Sequence, residues 1–128
     1  AWRKVYKMAT AGVSTNDDYF SLQGKNADGS INPNGEPLID MDNVIDYAMV
    51  IFYGGNLDAA ITWFGGDRWH NNWHGIRNRS GDEGFKFFIW DAEHTFLVES
   101  MNKGLHEDRT GPFPAGQQFG SSNPQWLW

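Results

Sequence analysis

Residues 73–90 read WHGIRNRSGDEGFKFFIW, and this stretch decides the fold. The run 85–90 is rich in aromatic residues, the run 73–78 holds Trp73 and Ile76, and the polar segment 79–84 separates them. Two strand-like runs separated by a Gly-containing polar segment predict a β-hairpin. The second run is apolar at four consecutive positions, 87–90, so we expect both of its faces to be buried.

Two short helices are predicted near the start of the chain. Apolar residues in 2–9 recur at positions i, i+3, i+4 and i+7, and Gly12 ends that pattern. The triplet Asn-Asp-Asp at 16–18 offers the capped start of a second helix, which Gly24 stops. Turn-forming residues dominate 24–37, which predicts an exposed loop.

The third predicted helix is the most apolar one. Asp40 or Asp42 caps its start, and it runs from Val44 to about Tyr53. Its apolar residues cover more than one side, which predicts a central rather than a peripheral helix. Together these elements predict an α+β fold, in which short helices precede a β-hairpin and an irregular C-terminal segment follows it.

Composition limits the classes of function. The 128 residues suffice for one domain, and the net charge is −6 with the ten basic residues scattered along the chain. Nucleic acids and anionic membranes are bound by clustered Lys and Arg, so neither is an expected partner. No apolar run reaches the roughly 20 residues of a membrane span. The absence of Cys excludes disulfides, thiolate metal ligands and thiol nucleophiles.

Polar residues at three points suggest a site for a metal ion. Asp58 follows the apolar helix, Asn72 precedes the hairpin and Asp91 follows it. Because a hairpin returns the chain to its start, we expect the Asn72 amide to face the Asp91 carboxylate. Oxygen ligands so placed suit Mg²⁺, Glu93 can add a ligand, and Asp58 can accept the proton of an attacking hydroxyl. Alternatively, Asp58 and Asp91 cap a helix and a turn.

The sequence resembles the CotH-like family, atypical kinases related to the bacterial spore coat protein H. The strings that carry the resemblance are DNVIDY at 42–47, NLD at 56–58, NNW at 71–73 and GFKFFIWDAEH at 84–94. The resemblance covers roughly residues 38–98. In addition, NPQWL at 123–127 is similar to a later segment of the larger bacterial members.

This resemblance implies part of the catalytic lobe of an atypical protein kinase. Asp58 matches the catalytic Asp, Asp91 the metal-binding Asp and Asn72 a second metal ligand. The implied cofactors are Mg²⁺ and ATP, and the implied partner is a protein whose Ser or Thr hydroxyls are phosphorylated. Relative to the family, the interval between Asp58 and Asp91 holds extra residues, including Gly65-Gly66-Asp67-Arg68.

Family members also carry an N-terminal lobe whose Lys holds the nucleotide phosphates, and nothing in 1–128 supplies it. We therefore expect a partial kinase domain, incomplete at both ends, that binds ATP weakly and is inactive alone. Its ends are expected to expose an apolar patch that favours self-association. The residues of that patch would be Trp2, Tyr6, Trp126 and Trp128.

Two alternatives lack phosphoryl transfer. Trp63, Trp69 and Trp73 lie near Asn71 and Asn72, and rings beside amides are typical of surfaces that stack on sugars. This alternative is a carbohydrate-binding module without chemistry, and the competing interpretation of the same Trp residues is that their rings cover the small core. The other alternative is a structural segment that keeps the fold and has lost the reaction.

Overall fold

A computed structural model of the chain describes residues 1–56, 59 and 72–96. Within them three helices precede a two-stranded antiparallel sheet, so the predicted α+β class is confirmed. The elements are α1 (Trp2–Ala11), α2 (Asn16–Leu22), α3 (Met41–Gly54), β1 (Trp73–Ile76) and β2 (Lys86–Ile89). Each strand is two residues shorter than predicted: β1 ends at Ile76, before the polar residues that lead into the turn, and β2 lacks Phe85 and Trp90 at its two ends.

The two short helices begin and end near the predicted residues. Helix α1 ends at Gly12, whose φ of 95° lies in the region that glycine adopts readily. Helix α2 starts one residue after Thr15, not at a cap within 16–18. The Thr15 hydroxyl accepts a hydrogen bond from the Asp18 N–H, and the Asp18 carboxylate accepts one from the Thr15 N–H. This reciprocal capping box fixes the start of α2.

Helix α3 has the predicted cap at Asp40 and the predicted end at the glycines, but it begins at Met41, three residues before Val44, and its surroundings differ from the prediction. The Asp40 carboxylate accepts a hydrogen bond from the Asn43 N–H, and Gly55 ends the helix in the left-handed conformation. One face is buried, and the opposite face is exposed although it is also apolar, with Tyr53 at 81% exposure. The prediction of a central helix is therefore wrong: the described elements pack against one side of α3. The buried residues are Val44, Tyr47, Ala48, Ile51 and Gly54.

The free edge of β2 is paired by the chain that enters α3. The Phe85 N–H donates to the Leu38 carbonyl at 2.8 Å, and the Asp40 N–H donates to the Phe85 carbonyl at 3.0 Å. Residues 38–40 thus run parallel to the start of β2. Two residues further along, at Phe87, the Asn43 side chain replaces the backbone as the partner of this edge. Its amide donates to the Phe87 carbonyl at 3.2 Å, and its oxygen accepts from the Phe87 N–H.

Gly84 permits this close approach. Its Cα lies so near residue 39 that an added Cβ would stand 2.3–2.6 Å from the Ile39 backbone atoms. A contact under 3.0 Å with backbone cannot be relieved by moving a side chain, so only glycine fits at this position. Gly84 therefore allows residues 38–40 to dock on β2.

The core lies between α1, α3 and the inner face of the hairpin. The Phe87 ring is its centre, with ring centroids at 6.2 Å from Trp2, 5.9 Å from Trp73 and 6.1 Å from Tyr47. Phe87 is 2% exposed whereas Phe88 is 44% exposed. The prediction that both faces of β2 are buried is therefore wrong, because among the described elements only one face has a helical layer against it.

The ends of the described chain also differ from expectation. Trp2 and Tyr6, predicted to lie in an exposed patch, pack against the core. Trp126 and Trp128 lie outside the described residues. None of the helices in the described ranges combines the length and hydrophobicity needed to cross a bilayer.

The pairing of Asn43 with Phe87 yields a stability prediction. Asn43→Ala leaves the N–H and carbonyl of Phe87 without partners, and each unpaired backbone group costs about 1–3 kcal/mol. We expect a loss of roughly 2 kcal/mol or more in the free energy of unfolding, measured by urea denaturation. Asn43→Asp should also destabilise, because a carboxylate cannot donate to the Phe87 carbonyl.

Asn34→Ala is the matched control, since Asn34 is exposed in the loop before α3 and its substitution should change stability little. Equal stability of the Asn43 and Asn34 variants would contradict a structural role for the Asn43 side chain.

Candidate metal and phosphate site

The open end of the hairpin brings Asn72 and Asp91 together. The ladder extends one pair beyond β1 and β2, because the Trp90 N–H donates to the Asn72 carbonyl at 3.1 Å. The Asn72 side-chain amide then donates to the main-chain carbonyl of Asp91 at 3.1 Å. The two residues are neighbours, as hairpin closure predicts. The amide N–H, however, meets the backbone of Asp91 and not its carboxylate.

Both residues adopt left-handed backbone conformations. The φ angles are 25° at Asn72 and 50° at Asp91. Non-glycine residues visit this region rarely, and Asn and Asp do so more easily than most. The left-handed residue Asp91 directly follows Trp90, which makes the last ladder hydrogen bond of the hairpin. These two residue types therefore fit the backbone at the end of the ladder as well as the chemistry proposed for them.

The Asp91 carboxylate interacts with Glu93. A hydrogen bond between the two side chains, then the repulsion of their charges and a small loss of solvent, raise the pKa of Asp91 above its ordinary value of 3.8. A nearby His94 acts in the opposite direction on that pKa. The His94 Nε2 lies 3.2 Å from Glu93 Oε1. Two carboxylates held together are electrostatically unfavourable when both are charged, and a cation would relieve that repulsion.

The oxygen atoms of these side chains suit a hard cation that takes only a few ligands from the protein. No set of three or more His, Asp or Glu side chains in residues 1–56, 59 and 72–96 has the arrangement of a closed metal site. Mg²⁺ does not require one, because it is commonly held by one or two carboxylates with water and phosphate oxygens. Asn72, Asp91 and Glu93 offer oxygens of that kind. Their role as metal ligands stays a prediction.

The other predicted residues divide between the core and the part outside the described residues. Asp58, the predicted catalytic base, lies outside them, as do Trp63 and Trp69. Trp73 is described, and its ring stacks on Trp2 at 6.1 Å between centroids, inside the aromatic core. It is therefore not a free sugar-stacking platform, and its inward position follows from the alternation of β1.

Trp90 lies on the surface, although the sequence predicts only that it belongs to the second strand. It is 61% exposed and meets the His74 ring edge-on at 5.3 Å. Its place directly before Asp91 puts an aromatic surface beside the acidic pair. Strand alternation could have revealed this exposure, because Phe88 and Trp90 lie on the face of β2 opposite to the buried Phe87 ring.

Comparison of the chain with protein-family models, curated proteins and solved structures gives no match in any of the three. The resemblance to the CotH-like family therefore rests on the residues quoted above.

The acidic pair predicts an unusual dependence of stability on pH. Because the folded-state pKa of Asp91 is raised, the proton that Asp91 shares with Glu93 stabilises the folded state fully at pH values below the ordinary carboxyl range. This stabilisation is lost as the pH rises through the raised pKa of Asp91. In cation-free buffer at pH 7, Glu93→Gln should therefore raise the melting temperature, and the gain should shrink as the pH is lowered through the raised pKa of Asp91 and be small below about 4.

Asp82→Asn is the control, because Asp82 is an exposed carboxylate at the opposite end of the hairpin. Thermal melts of both variants between pH 3 and pH 8 make the comparison. If Glu93→Gln lowers the melting temperature at neutral pH, then the Glu93 carboxylate stabilises the fold and the repulsion described here is wrong.

Proposed function

We propose that this chain supplies the metal- and phosphate-handling part of an enzyme similar to the CotH-like kinases, which transfers the γ-phosphoryl group of ATP to Ser or Thr hydroxyls of a protein. The observation that carries the proposal is the meeting of Asn72 with the Asp91–Glu93 pair at the open end of the hairpin. Asn72 and Asp91 are 19 positions apart along the chain, and the hairpin brings them together. Glu93 follows Asp91 by two positions.

In this proposal Asp91 and Glu93 bind the cation through carboxylate oxygens, and Asn72 adds its amide oxygen. Bound Mg²⁺ would neutralise charge on the ATP phosphates and help to orient the γ-phosphoryl group. The chain fixes the position of Asp91 before a cation binds. Asp91 follows the last ladder hydrogen bond of β2, and its main-chain carbonyl is held by the Asn72 amide. Little freedom is then lost when a cation binds.

Asp58 is the proposed general base, which accepts the proton of the attacking hydroxyl as the new O–P bond forms and ADP leaves. Support comes from the residues around it. Asn56 is 2% exposed just after α3, and Ala59 is fully buried. Both of these residues are thus packed within the fold.

The proposal assigns phosphoryl transfer to a protein that includes a nucleotide-binding lobe. In the sequence given, Gly54-Gly55 and Gly65-Gly66 are isolated pairs and not a phosphate-binding loop between a strand and a helix. Among the described strands the only lysine is Lys86 of β2, whose ammonium group is paired with the carboxylates of Asp40 and Glu83. For the 128 residues alone, we therefore propose cation binding with weak or no affinity for ATP.

Cation binding by the 128-residue chain is the direct test. Mn²⁺ is a suitable probe because it accepts the same oxygen ligands as Mg²⁺ and its free fraction is read by electron paramagnetic resonance. We expect Asp91→Ala to weaken Mn²⁺ binding at least about tenfold, which corresponds to about 1.4 kcal/mol. Glu93→Gln should weaken it less, since an amide oxygen remains.

Asp82→Ala, at the far turn of the hairpin, serves as the control and should bind Mn²⁺ like the parent chain. Unchanged affinity of the Asp91 variant would contradict the proposed site. Thermal melts with oligosaccharides address the rival function. A rise in melting temperature with oligosaccharides, lost on Trp69→Ala and absent with Mn²⁺ or Mg-ATP, would identify a carbohydrate-binding module instead.

A further inference from the structure

The outer face of α3 carries two adjoining rows of exposed side chains. The apolar row repeats at positions i, i+4 and i+7, and Met49 at its centre is 63% exposed. The second row is acidic in its first half and ends on an exposed tyrosine. The apolar row consists of Ile45, Met49 and Phe52, and the second row of Asp42, Asp46 and Tyr53.

The apolar part of this face extends beyond the helix. The Phe96 ring meets the Tyr53 ring edge-on, with centroids 5.7 Å apart, and both rings remain exposed. The Phe96 N–H is held by the Gly54 carbonyl at 2.8 Å, so this ring is fixed at the C-terminal end of α3. Apolar side chains at helical spacing on a helix surface are typical of sites where a second helix docks.

The charges on the outer face indicate which kind of helix fits. Neither Asp42 nor Asp46 forms an ion pair with another side chain in the part of the chain that the structure describes. Both carboxylates are exposed beside the apolar row. A second copy of the chain would bring the same carboxylates and the same net charge of −6 to the contact. A partner with Lys or Arg beside its apolar stripe is complementary in charge as well as in shape.

We propose that the outer face of α3 binds a basic amphipathic helix of a partner protein. Apolar side chains of that helix would pack on Ile45, Met49 and Phe52, and its Lys or Arg residues would pair with Asp42 and Asp46. This proposal does not depend on phosphoryl transfer, because none of these residues belongs to the candidate metal site.

A synthetic peptide of 18 residues, with Leu at helical spacing and Lys at most other positions, is the probe. Its binding to the 128-residue chain is measured by fluorescence anisotropy. A shuffled peptide of the same composition, without an apolar stripe, is the matched control peptide. We expect the amphipathic peptide to bind more tightly than the shuffled one, and binding to weaken as salt is added.

Variants of α3 locate the binding surface. Met49→Ser should weaken peptide binding at least about tenfold, which corresponds to about 1.4 kcal/mol. The double variant Asp42→Asn, Asp46→Asn should weaken it and reduce its dependence on salt. Ile76→Ser is the control, because Ile76 is 60% exposed on the hairpin and away from α3. Thermal melts establish that each variant is folded.

Two results would overturn the proposal. One is equal binding of the amphipathic and shuffled peptides, or binding that Met49→Ser does not change. The other is a dimer in sedimentation equilibrium that Met49→Ser dissociates, without binding of the peptide, which would assign the outer face to a second copy. Mn²⁺ binding, measured on the same variants, should stay unchanged, so failure here is distinguishable from failure of the metal site.

Discussion

The described structure depends on how the outer edge of β2 is paired. A two-stranded sheet has two edges, and an isolated hairpin is only marginally stable in water. Here the backbone of residues 38–40 pairs with Phe85, and the Asn43 side chain pairs with both backbone groups of Phe87. Because Asn43 belongs to the first turn of α3, the same bonds attach the helix to the sheet. Packing of the Phe87 ring then joins α1, α3 and the hairpin into one core.

The pairing of β2 also determines the geometry of the candidate site. β2 is held along both edges, so its end has a defined position, and Asp91 follows one residue after the last ladder bond. Asn72 holds the carbonyl of Asp91 from the opposite strand. The acidic side chains are thereby kept close despite their mutual repulsion. At neutral pH the repulsion between these two carboxylates does not stabilise the fold, and carboxylates with perturbed pKa values are frequent at functional sites.

Sequence patterns predicted the local features and the order of the elements. The ends of α3 follow from Asp40 and the glycines after Tyr53, since caps act over three or four residues. The nearness of Asn72 and Asp91 follows from hairpin closure. The Asn43–Phe87 bonds span 44 positions, and no local pattern reveals them. The apolar pattern of a strand or helix does not show how many layers pack around it. The predicted burial of Phe88 and of both sides of α3 is wrong for this reason.

The most direct measurement is amide hydrogen exchange at Phe87, followed by nuclear magnetic resonance. Its N–H points away from β1 and is bonded to the Asn43 side chain. If that side chain completes the edge of the sheet, the Phe87 amide should exchange as slowly as the buried amides of α3, such as that of Ile51. Exchange of Phe87 at the rate of an exposed strand edge, with Ile51 still protected, would contradict the account.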